Sequence, residues 1–220
     1  MREVFYNFFI RFLHPLQVHE FISKSFRPGT LDVVDNLPAW PGRFNLKKTS
    51  FYEFLLISWI FVLVETIYSV STLNIGLQIS RLLKGTSFFM PYLSDQLVLI
   101  KILSLISILG GAVLFPFYAL LYQKFWIHIT GFFMDLYNMK RNDTAIEEVV
   151  NSSFVANIFL VIPIFGSFFR TVTSFVFLFA GFRRNLKMNI PQSVLILSTP
   201  FVLFLVFIFL AILWFMAVMF

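Results

Sequence analysis

"GFRRNLKMNIPQSV", residues 181–194, is the stretch on which the fold turns. Three cations and an Asn-Ile-Pro-Gln step separate two long runs of Phe, Leu, Val and Ile. Such a break reads as a turn between two membrane-spanning helices. Arg183, Arg184 and Lys187 suit the end of the first helix, where unpaired carbonyls carry partial negative charge. Asn189 is a good N-cap for the second, and Gln192, three residues on, completes a capping box. Pro191 falls in the first turn, where its missing N–H leaves no bond unmade. Cations also gather in cytoplasmic loops, so the same residues orient the chain.

The composition agrees. The chain has 220 residues, 59% hydrophobic and 13% charged, with a mean hydropathy of +0.84. Soluble domains are about half apolar and about a quarter charged. There are 32 Phe residues. A bilayer accepts such rings on the outside of a bundle as well as inside it. The net charge of +6 comes with no basic stripe and no RNA-binding aromatic motif, which argues against nucleic acid as a partner. No Cys is present, so disulfides, thiolate metal sites and a Cys nucleophile are excluded.

Working outward, the expected fold class is an all-α, polytopic integral membrane protein with five transmembrane helices. A span needs about 20 mostly apolar residues. Residues 192–219 form one, without a single charge. Residues 167–186 and 148–166 form two more, joined by so short a turn that they must be an antiparallel hairpin. Asp143 or Thr144 can cap the earlier of these, with Glu147 and Glu148 in its first turn. Residues 97–123 contain Gly110, Gly111 and Pro116, which favour a kink. The following "KFWIHITGFFMDLYNMK" either continues that helix or bends along the interface. The first span is 51–73, and a polar loop with Arg81, Lys84, Gly85 and Pro91 follows it.

Residues 1–50 read as a cytoplasmic region ahead of the membrane domain, 51–220. The start lacks the continuous apolar centre and cleavage site of a signal peptide. Val4, Phe8 and Phe12 are spaced by four, with Phe5 and Phe9 beside them, while Glu3, Asn7, Arg11 and His14 fall elsewhere. This is the pattern of an amphipathic helix lying in the membrane interface, with Phe5, Phe8, Phe9 and Phe12 toward lipid. A second short helix can start at Pro15, and 27–50 reads as loop. Five spans put thirteen cations inside and three outside, a clear positive-inside bias.

The arrangement resembles the Yip1-domain membrane proteins, in their bacterial form. The resemblance rests on "LFAGFRRNLKMNIPQSVLILSTPFVLFLV", on the opening "FFIRFLHPLQVHEFI", and on "NSSFVANIFLVIPIF" as the third span. It implies five spans, a cytoplasmic N-terminus and a membrane-organising role. Eukaryotic members are linked to small GTPases, but their "DLYGP" motif before the first span has no counterpart. Here "DLY" stands at Asp135–Tyr137, after the second span and without Gly-Pro, so GTPase binding is not implied. The expected location is a bacterial inner membrane with a cytoplasmic N-terminus, or alternatively an early secretory membrane.

Glu65 is the sharpest chemical feature, because a carboxylate inside a span is costly. Ser58, Ser69 and Thr72 share its helical side, so that side should face the bundle. Lys101 enters from the same end of the bilayer and could pair with it. The pair reads either as a polar relay or as a buried contact that fixes helix registry, with Lys101 alternatively snorkelling outward. Asn157 is expected to hydrogen-bond between helices. Arg170 is expected at an outer turn, as an interface anchor or a lipid-phosphate ligand. His14, His19 and Glu20 have poor spacing for a metal site. Trp40, Trp59, Trp126 and Trp214 read as interface or packing residues. No P-loop, nucleophile elbow or zinc-protease motif is present, and no cofactor is expected.

Two functions follow from these readings. One is a non-enzymatic scaffold that acts through membrane lipids, self-association or another membrane protein. The other is a transporter, channel or lipid-translocating protein built on Glu65 and Lys101. A cavity reaching Glu65 would favour the second, and a closed bundle the first.

Overall fold

The computed structural model describes the backbone of residues 2–15, 19, 50–84 and 93–219. Every regular element among them is helical: α1 (Arg2–Leu13), α2 (Phe51–Lys84), α3 (Leu93–Leu136), α4 (Asp143–Ser153), a 3-10 segment (Phe154–Val161), α5 (Gly166–Arg184) and α6 (Ile190–Met219). The second short helix expected after Pro15 and most of the 27–50 loop lie outside the described residues. Four stretches are long and apolar enough to cross a membrane: Phe51–Ile79, Val98–Leu136, Asp143–Val161 and Ile190–Met219. These are the apolar helices of an integral membrane protein. α5, expected as the fourth of five spans (167–186), is not among them.

Boundaries differ from expectation in informative ways. α2 runs on to Lys84 instead of ending in a polar loop. α3 takes the first of its two expected courses, continuing through "KFWIHITGFFMDL" as one helix of 44 residues with Pro116 inside it. At about 1.5 Å per residue it is roughly 66 Å long, about twice the hydrocarbon core. The cap of α4 is Asn142, whose side chain accepts from the Ala145 N–H at 3.2 Å, rather than Asp143 or Thr144.

The expected third span is two different helices in series. Ser152 Oγ donates to the Glu148 carbonyl at 2.8 Å and Ser153 Oγ to that of Val150 at 2.7 Å. Serine hydroxyls that compete for backbone carbonyls weaken the α-helix. The chain changes to 3-10 geometry immediately afterwards and holds it for eight residues, longer than usual. A 3-10 helix rises about 2.0 Å per residue, so the segment covers about 16 Å where an α-helix would cover about 12 Å.

Packing is concentrated in one half of the molecule. One cluster joins Trp126, Ile146, Val149, Phe182, Met188 and Ile196. A second joins Phe8, Phe51, Phe54, Ala119, Phe154 and Phe177. A Cβ on Gly181 would run into the Val149 side chain, so this glycine sets how closely α5 approaches α4. Beyond this half the helices lose their partners. α2 has no buried residue described after Val62, α3 none before Ala112, and α6 none after Ile196. Every residue from Phe201 to Met219 is exposed.

The 181–194 turn forms as its sequence dictates. The Asn189 N–H donates to Gln192 Oε1 at 2.8 Å, one arm of the capping box. Arg183 Nη1 donates to the Met188 carbonyl at 2.8 Å, and Lys187 takes a left-handed φ of 56°. Arg184 and Lys187 are exposed, whereas Leu186 and Met188, on either side of Lys187, are buried in the core.

α1 corrects its expectation. Phe8 is buried among Phe54 and Phe61 rather than lipid-facing, Phe5 and Phe12 are half-buried, and only Phe9 of the four is exposed. The face that enters the bundle also carries Asn7 and Arg11. Arg11, 2% exposed, stands 2.5 Å from Glu148 Oε1, donates to Ser152 Oγ at 2.9 Å, and lies 5.1 Å over the Phe54 ring. The face that meets protein is therefore mixed: Phe8, with Val4, Phe5 and Phe12 beside it, joins the second cluster, while Asn7 and Arg11 are buried next to them.

Candidate functional site: a polar cleft at the hairpin tip

The 3-10 segment and α5 form the expected hairpin, and its tip is tight. The Phe165 N–H donates to the Pro163 carbonyl at 2.7 Å across Ile164, whose φ is 68°. This is a γ-turn with a β-branched residue in the left-handed region, a conformation that costs on the order of 1–3 kcal/mol. A Cβ on Gly166 would stand 2.5 Å from the Phe159 carbonyl oxygen, so the return of the chain needs glycine there.

Glu65 meets this tip. Its Oε1 accepts from Ser167 Oγ at 2.6 Å. The expected pair with Lys101 is not formed, and Lys101 has no ion pair among the described residues. Ser167 lies in the first turn of α5 and could not be singled out beforehand, because nothing in the sequence says which serine a carboxylate will face.

Two adjoining cavities open on Glu65. One, of about 640 Å³, lies between α2, α3, the 3-10 segment and α5, and is lined by Glu65, Tyr122, Ser153, Asn157, Arg170 and Ser174 among others. The other, of about 710 Å³, lies over the tip between α2 and α3 and is lined by Glu65, Ser69, Thr72, Ser104, Ser107 and Ser167 among others. Arg170 therefore faces a cavity, and it makes no hydrogen bond or ion pair among the described residues. Asn157 is buried as expected, but its side chain has no hydrogen-bond partner among the described residues. The Tyr122 hydroxyl bonds Ser153 Oγ at 3.1 Å and Ser174 Oγ at 2.8 Å, which ties α3, α4 and α5 together at the floor. Phe154, Tyr122 and Trp126 close that floor by edge-to-face packing.

A second polar group sits below the floor. Gln123 Nε2 donates to Asn151 Oδ1 at 2.9 Å, beside the Arg11–Glu148 pair. His19 is buried with neither ring nitrogen bonded among the described residues, and burial together with the charge on Arg11 pushes its pKa down to about 3. Among the described residues, no group of three His, Asp or Glu could hold a metal ion. Trp59 Nε1 donates to the Ala112 carbonyl at 2.8 Å and joins α2 to α3. Trp126 is core and Trp214 is exposed.

The fold and the cleft define a helical membrane protein with a two-sided, partly charged cavity among apolar helices. Neither known protein families, curated proteins nor solved structures contain a match to the chain.

Proposed function

We propose that the protein binds and moves a membrane-resident ligand through the Glu65 cleft, as a lipid-translocating or transporter-type protein rather than an enzyme. The observation that carries this reading is the depth of the cleft. Phe175 of α5 stacks on Phe201 of α6 at 5.8 Å, which aligns the two helices. From that level α5 extends about 12 Å to Ser167, whereas the uncharged remainder of α6 extends about 27 Å to Met219. A 27 Å apolar segment matches the hydrocarbon core. On this reading the hairpin tip stops well inside the bilayer. The 3-10 segment and α5 enter and leave on one side, and α2, α3 and α6 cross. The termini then lie on opposite faces, as five spans would also have it, with the 183–187 cations on the N-terminal, cytoplasmic side.

Charges held at such depth are expensive and mark pathways. The packed floor makes an open channel a poorer description than a carrier. The test uses full-length protein in vesicles. Exchange of fluorescent lipid between leaflets should rise above protein-free vesicles and fall at least tenfold with Glu65→Gln. Absence of any lipid, proton or ion flux would remove this reading.

One observation favours a second reading, a Yip1-like membrane scaffold in a bacterial inner membrane. The wholly exposed Phe201–Met219 segment of α6 offers an apolar face to lipid, to a second copy or to another membrane protein. Energy transfer between labelled copies that persists on dilution into excess lipid would support it. Transfer that vanishes in proportion to dilution would count against it.

A further inference from the structure

We infer that the cavity floored by Tyr122, Phe154 and Trp126 is a headgroup site for a zwitterionic amphiphile, one bearing an anionic phosphodiester and a primary ammonium group. The inference rests on the reading of the cleft as intramembrane, and it adds the class of ligand. The cavity of about 640 Å³ has one cation, Arg170, and one anion, Glu65, in its lining. They are not an ion pair with one another among the described residues. Glu65 is held at the tip by Ser167, and Arg170 lies one turn of α5 further in. With the cleft inside the bilayer, a guanidinium and a carboxylate kept apart are both under-compensated. A ligand with the opposite charges in the same order satisfies both.

The neutral lining groups fit the same ligand. The free Asn157 amide can donate to a phosphate oxygen. The Arg170 guanidinium can bind it through two parallel N–H donors. The ammonium would donate to Glu65. Selectivity follows from hydrogen bonding. A primary ammonium has N–H groups for the carboxylate, a quaternary one has none, and a glycerol headgroup has no positive charge at all. The alkyl chains have a way out, because α2 and α3 around the second cavity expose Ile67, Ile75, Leu103 and Ile106. This apolar flank is why the source of the headgroup is a lipid and not a soluble phosphoester.

The test is equilibrium titration of the detergent-solubilised full chain with short-chain phosphatidylethanolamine, phosphatidylcholine and phosphatidylglycerol. Soluble phosphoethanolamine serves as competitor. Binding is followed by calorimetry and by emission of Trp126, which borders the cavity. Phosphatidylethanolamine should bind at least tenfold more tightly than the other two. Arg170→Gln should weaken phosphatidylethanolamine and phosphatidylglycerol alike, by at least tenfold. Glu65→Gln should weaken only phosphatidylethanolamine and so erase the preference. Arg170→Lys, which keeps the charge, gives the same readout at reduced affinity if the Gln variant does not fold. Equal binding of all three lipids overturns the inference, and so does a preference that survives Glu65→Gln. Competition by soluble phosphoethanolamine at concentrations equal to the lipid overturns the lipid source. Flux without this selectivity defeats the ligand class and leaves the transport reading standing. Selective binding without flux does the reverse.

Discussion

Removing the guanidinium of Arg11 should destabilise the fold out of proportion to its place in a short N-terminal helix. Arg11 and Glu148 have side chains 2% and 4% exposed, so neither charge has water to fall back on. The contact is close, but Glu148 Oε1 has no aligned hydrogen bond from any described residue and depends on the charge beside it. Breaking a buried pair from one side costs about 3–5 kcal/mol, because the surviving charge stays buried and uncompensated. Arg11→Met also removes the bond to Ser152 and the cation over Phe54, which sets the expectation near the middle of that range, about 4 kcal/mol. For a chain of this size about 4 kcal/mol corresponds to roughly 8–16 °C. Glu148→Leu should behave similarly. The double variant should recover most of the loss, since a well-packed apolar pair is often as stable as the ion pair it replaces. Thermal unfolding in detergent at one fixed scan rate measures all four proteins. The chain has no Cys, so a single introduced thiol reports on docking. Phe8→Cys should resist a water-soluble maleimide in the parent and react in Arg11→Met, while exposed Tyr6→Cys reacts in both. Single variants within about 2 °C of the parent would refute this reasoning. So would a double variant as unstable as the sum of the singles, or a Phe8→Cys that labels freely in the parent.

Two further expectations concern packing and pH. Gly181→Leu should destabilise by about 1–3 kcal/mol through overpacking against buried Val149, and Val149→Ala should restore part of it, as measured by the same unfolding midpoint. His19 should make the fold weaker toward acid. Its pKa is near 3 when folded against an ordinary 6.5, so between those values the unfolded chain binds a proton that the native one does not. Stability from this group is intact above pH 6.5 and declines as pH falls toward 3, by about 1.4 kcal/mol per pH unit. His19→Leu should flatten the pH dependence of the midpoint between pH 4 and 6.5, and an unchanged slope would dismiss the effect.

The four long apolar helices were legible because each property involved is local. Runs of some 20 apolar residues, the 183–187 cations and the Asn189–Gln192 cap need no distant partner to be recognised. Glu65 stood out for the same reason, since its neighbours along the chain are apolar. What the sequence by itself determined, then, is that the chain is helical, which segments favour lipid, and where one turn falls. Only the tertiary structure decided that Glu65 meets Ser167 rather than Lys101, that Arg170 faces a cavity, and that Arg11 of α1 is buried against Glu148. Each of these depends on the rotation and depth of one helix against another. Helical periodicity fixes which residues share a face. It leaves open which face turns inward when, as here, cations and carboxylates from distant segments can satisfy one another inside.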